Sequence, residues 1–173
     1  WRAVILLKTL VLAACYLTLY FLAGRLTCNW WLALLIAVVA VTVSRRTFYP
    51  RPPVLSNFLL AGQLLLFTAV HQGWIRRAWI WTLVPLFALW SNLHGAWMAG
   101  VVVLAAYAGQ DTLVAIRDKL AGEKAGRLWK TVDWAPTPIP FRWWLGLFPA
   151  CILATMANPY GYKLYELPAR VMT

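Results

Sequence analysis

Three polar islands interrupt an otherwise apolar chain, and each carries groups that could hold a phosphate or move a proton. The first is Phe48-Tyr49-Pro50-Arg51-Pro52-Pro53. Arg51 stands between prolines that stiffen its backbone, and a rigidly placed guanidinium offers a fork of donors matched to phosphate oxygens. The second is Trp90-Ser91-Asn92-Leu93-His94-Gly95. His94 can donate to a phosphate or shuttle a proton. Gly95 and Gly100 let another group come close to the backbone. The third is Asn158-Pro159-Tyr160-Gly161-Tyr162-Lys163, where two phenols and an ammonium could line a pocket. Each island also has a plainer reading. Arg51 suits an interfacial turn punctuated by prolines. Asn92 can cap a helix–helix turn in which carbonyls satisfy His94. Asn158 before proline is a common helix stop. The candidate substrate-binding residues are Arg51, Asn92, His94, Tyr160 and Lys163. No catalytic residue, metal ligand or cofactor is assigned.

Composition sets the elements that must position these groups. A chain of 173 residues that is 62% hydrophobic and 12% charged points to an integral membrane protein rather than a soluble domain. Its net charge of +11 does not indicate nucleic acid, because the cations sit at helix ends and in loops and form no basic face. Cys15, Cys28 and Cys151 are scattered, so neither a metal site nor a disulfide framework is expected. The chain opens inside a hydrophobic run at Trp1-Arg2-Ala3-Val4, which reads as a piece of a longer polypeptide.

The fold expected is all-α: one polytopic transmembrane helix bundle over 1–173, with about six membrane helices and one long polar loop. The apolar segments run over about 3–23, 30–43, 54–70, 78–90, 96–108 and 141–157. Thr27 or Asn29 can cap the second. Pro52 and Pro53 suit the start of the third, and Pro85 is expected to kink the fourth. Residues 109–140 form the polar stretch. Its weak stripe Leu113, Val114, Ile116, Leu120 lets the fifth helix project out of the bilayer. Tryptophans gather near the expected helix ends, as in an interfacial aromatic belt. Gln63 and Asn57 are expected to make interhelical hydrogen bonds, and His71 to be satisfied at an interface.

Six crossings put all three islands on one face of a bilayer. Arg2, Lys8, Arg45, Arg46, Arg51, Lys163 and Arg170 share that face. Arg25, Arg76, Arg77, Arg117, Lys119, Lys124, Arg127, Lys130 and Arg142 take the other. The excess of cations on the second face makes it the cytoplasmic one, with 109–140 on it and the islands outside. Intramembrane or matched-depth polar clusters are functional-site candidates.

Three runs carry a family resemblance. Arg51-Pro52-Pro53-Val54-Leu55-Ser56, then Leu89-Trp90-Ser91-Asn92-Leu93-His94-Gly95-Ala96, then Asn158-Pro159-Tyr160-Gly161 resemble the middle of bacterial polytopic proteins of the GT-C glycosyltransferase superfamily. Those proteins show patterns close to R-P-Q, W-A-N-L-H-G and N-P-Y-G. This chain differs by Pro53 and Ser91. The resemblance implies a multi-pass enzyme of the bacterial inner membrane that takes a sugar from a polyprenyl-phosphate donor. It also implies a carboxylate in a first external loop, which would precede Trp1, so the chain by itself is not expected to catalyse. The alternative is a non-catalytic accessory subunit packed on a larger membrane complex, photosynthetic or respiratory. The partners expected are therefore membrane lipids, the lipid-linked donor or such a complex, and no nucleic acid.

Overall fold

A computed structural model describes the backbone of residues 2–44, 53–93, 95–130 and 139–161, and the side chains of these residues except 53, 118 and 120–130. The described residues are mostly helical, joined by short turns, and contain no strand. The helices are α1 (Arg2–Thr27), α2 (Trp30–Ser44), α3 (Pro53–His71), α4 (Leu83–Leu93), α5 (Trp97–Lys130) and α6 (Phe141–Thr155), with a 3-10 helix at Arg77–Thr82. Three stretches are long and apolar enough to cross a membrane: Arg2–Thr27, Val54–His71 and Trp97–Arg117. Helices α2 and α6 have 15 residues each. At about 1.5 Å per residue they fall short of a hydrocarbon core roughly 30 Å thick. The chain divides into two compact units, Trp1–Ala69 and Val70–Thr173.

In the first unit, α1 and α2 form a helical hairpin. Cys28 takes the left-handed conformation (φ 52°) that stops α1. Asn29 then caps α2, its Oδ1 accepting from the amides of Trp31 (3.0 Å) and Leu32 (3.1 Å). Of the two expected capping candidates, Asn29 therefore does the work. Thr27 instead donates back to the Ala23 carbonyl at 2.7 Å. The residues buried on the two helices are mostly small: Ala23, Gly24, Ala33 and Ala37. Small residues let helix backbones approach where lipid supplies no hydrophobic driving force. Helix α3 touches this hairpin through the Cys15 thiol, which lies 3.7 Å from the Asn57 carbonyl.

Gly24 holds a specific place. A Cβ there would overlap the ring of Trp30, and that ring is itself held by Tyr20 (centroids 5.4 Å apart) and Phe21 (6.5 Å). Gly24→Ala would gain roughly 1 kcal/mol of helix propensity. Overpacking against an indole braced by those two rings, though 47% exposed, costs roughly 1–3 kcal/mol, so the clash wins. Thermal unfolding in detergent should show Gly24→Ala to be the less stable protein, and a Trp30→Ala background should turn the same change neutral or favourable.

The second unit is built on α4 and α6, with α5 packed against both. Leu83, Phe87, Trp90 and Ser91 are buried on α4, and Trp144, Leu147, Cys151 and Thr155 on α6. Both sets recur at three, four or seven residues, the spacing of one helical stripe. On α5 the buried Trp97, Leu104 and Asp111 fall seven residues apart. The expected fourth segment is two elements, not one kinked helix. Arg77–Thr82 winds as a 3-10 turn, and Pro85 becomes the third residue of α4. There its missing amide is no loss, since first-turn amides have no helical partner. The polar stretch from 109 continues α5 as far as Lys130.

Candidate functional site

The stripe that α5 buries ends on an acid. Asp111 is a fully buried side chain of the second unit, and three donors converge on its carboxylate. His71 Nε2 lies 2.9 Å from Oδ1 and 3.2 Å from Oδ2. Against an ionised carboxylate, which only accepts, Nε2 is the donor. The Ile139 amide and the Trp144 indole N–H each donate to Oδ2 at 3.1 Å. Tyr107, one turn before Asp111, sets its ring 5.4 Å from the imidazole. One acid thus joins the end of α3, the middle of α5 and the start of α6.

Local structure explains why these groups meet. Gly73 (φ 70°) closes α3 just past His71, with its amide on the Val70 carbonyl at 3.1 Å. Trp144 is the first buried residue of α6 and points the same way as Leu147 and Cys151. An aspartate that orients an imidazole is also the geometry of a proton-transfer pair. Here the two side chains are only 4% and 1% exposed, and no substrate could reach them. The cluster is a tie: the histidine expected to be satisfied at an interface has Asp111 as its partner and is buried.

A second tie joins two of the polar islands. Asn158 Nδ2 donates to the Ser91 carbonyl at 2.7 Å, across 67 residues of sequence. Asn158 Oδ1 accepts from the Tyr160 amide (2.9 Å), and its carbonyl accepts from the Gly161 amide (2.8 Å). The side chain shapes its own turn while gripping the C-terminal end of α4. Gly161 takes φ 51°, a conformation glycine adopts at no steric cost.

No family model, characterised protein or solved structure matches this chain. The site must therefore be read from its geometry. Of the candidate substrate-binding residues, Asn92 and Tyr160 are placed on the two islands that Asn158 joins. Asn92 is exposed and its amide donates back to the Ala88 carbonyl at 2.7 Å. That bond is made within its own helix, and does not cap the following turn. Tyr160 is 65% exposed. Arg51, His94 and Lys163 lie outside the described residues. Gln63 is buried and Asn57 exposed. Among the described residues no group of three or more His, Cys, Asp or Glu could hold a metal.

Asp111 is the residue that charge patterning hides. It opens a run rich in charge, so it reads as the first acid of a solvated stretch. The usable signal was periodicity: two steps of seven from Trp97 pass Leu104 and land on Asp111.

Proposed function

We propose that the chain is the membrane segment of a GT-C-like glycosyltransferase of a bacterial inner membrane, using a polyprenyl-phosphate-linked sugar. In this reading Arg51 and His94 hold the donor phosphate, Asn92 and Lys163 add polar contacts, and Tyr160 shapes the pocket wall. The observation that carries it is the 2.7 Å bond from Asn158 to the Ser91 carbonyl. It brings Asn158 of one island against Ser91 of another near the C-terminal end of α4, as a donor site shared by the two islands would need. Three helices long and apolar enough for a bilayer support the membrane setting.

The test is glycosyl transfer from a polyprenyl-phosphate sugar by the full-length protein in membranes. Arg51→Lys keeps the charge and loses the planar fork. A charge-assisted hydrogen bond contributes roughly 1.5–3 kcal/mol, so donor use should fall about ten- to hundredfold with folding unchanged. Unimpaired transfer by Arg51→Lys would remove the phosphate clamp. No transfer by the parent protein, together with a partner complex that is lost on changing the half-buried Trp143, would make the chain an accessory subunit; Trp144, buried against Asp111, cannot serve that test.

A further inference from the structure

A shallow, largely open groove of about 490 Å³ lies in the second unit along Arg76, Trp79, Trp81, Thr82 and Pro85. That volume is within the range of small-ligand sites. No described residue of the polar islands lines it, and it lies on a different stretch of chain from the site proposed for the sugar donor. Its described lining holds two indoles, both exposed, and one charged group, the Arg76 guanidinium, also exposed. No carboxylate among the described residues lies within ion-pair distance of Arg76. The groove is also held in shape. Trp81 seats its ring edge on Gly146 of α6, where an added Cβ would come within 3.2 Å of it. Thr82 folds its hydroxyl back onto the Trp79 carbonyl at 2.7 Å. Two residues before Gly146, Trp144 is fixed by Asp111.

We infer that this groove binds the phosphate of an anionic phospholipid. A forked cation with no described acid beside it is complementary to a phosphate diester. Two indoles flanking that cation are the side chains that settle at headgroup depth, where lipid phosphate is the abundant anion. The glycerol and upper acyl chain of such a lipid would lie along Trp79, Trp81 and Pro85. A free phosphate ion would leave those apolar walls wet, so the site commits to the lipid. Arg77 follows Arg76 in sequence but lines no part of the groove, which makes it the internal control.

The experiment is equilibrium binding by native mass spectrometry on the full chain in neutral detergent, with short-chain phosphatidylglycerol, short-chain phosphatidylcholine and inorganic phosphate as probes. Phosphatidylglycerol should bind about tenfold more tightly than phosphatidylcholine, because the choline cation opposes Arg76. Arg76→Gln should lose that preference, Trp79→Ala should weaken both lipids, and Arg77→Gln should leave both unchanged. Gly146→Val, which displaces Trp81 without touching a charge, should weaken phosphatidylglycerol as well. Equal binding of the two lipids would overturn the inference. So would equal effects of Arg76→Gln and Arg77→Gln, or binding of inorganic phosphate as tight as the lipid. Each of these readouts is independent of glycosyl transfer.

Discussion

Asp111→Ala should destabilise the second unit by about 3–5 kcal/mol, the usual cost of removing one member of a buried, hydrogen-bonded polar pair. Three donors lose their acceptor at once: His71 Nε2, the Ile139 amide and the Trp144 indole. Each such loss leaves a desolvated group costing roughly 1–3 kcal/mol, while relief from burying the carboxylate returns part of the sum. Asp111→Asn separates the contributions. One oxygen remains to accept, and the new amide faces a donor, so roughly half the loss is expected. Denaturant unfolding in detergent, followed by tryptophan fluorescence, measures both. A double-mutant cycle with His71→Ala should show a coupling of about 1–3 kcal/mol, as groups in one network do. A loss below about 1 kcal/mol for Asp111→Ala would mean that the tie contributes little and that apolar packing of α4 on α6 holds the unit alone.

Asn158→Ala is expected to cost about 2–4 kcal/mol. It strips the buried Ser91 carbonyl of its side-chain donor and removes the Asn158 acceptor that shapes the Tyr160 turn. Asn158→Asp is the sharper measurement. Aspartate keeps the oxygen that accepts from the Tyr160 amide, yet it sets a second carboxylate oxygen against the Ser91 carbonyl. If the bridge between the islands dominates, Asn158→Asp should be at least as unstable as Asn158→Ala. If the local turn dominates, it should be milder by about 1 kcal/mol or more. Under the proposed function both variants should also lower sugar transfer, because they release one island from the other.

Most of the helical architecture is legible in the chain because burial in lipid or core leaves uninterrupted apolar runs. Helix α2 is a clear case. Asn29 marks its start and the basic pair Arg45-Arg46 its end, and the structure runs Trp30–Ser44. Pro53 opens α3, as a proline in a first turn can. Where the reading failed, competing physics is visible. Pro85 is a helix breaker only in a helix interior, and a 3-10 turn placed before it moves it to a permitted position. Asp111 misleads because local charge density and burial disagree there, and its partners are 40, 28 and 33 residues away. Such partners leave no trace in a local window. The Asn158–Ser91 bond is hidden for the same reason. The motifs marked both ends of it, but nothing in their spacing says that they touch.

The buried carboxylate also bears on how the chain is made. Synthesis delivers His71 before Asp111, so the first donor is waiting when the acid emerges. The other two, Ile139 and Trp144, come later. At roughly 5–20 residues per second, the acid spends on the order of seconds with one partner in place of three. For that interval the nascent α5 carries a poorly compensated charge at the edge of its apolar stretch. Arrival of α6 therefore completes the unit twice over: it lays down the stripe that packs on α4, and its first buried residue closes the cage around an acid made half a helix hairpin earlier.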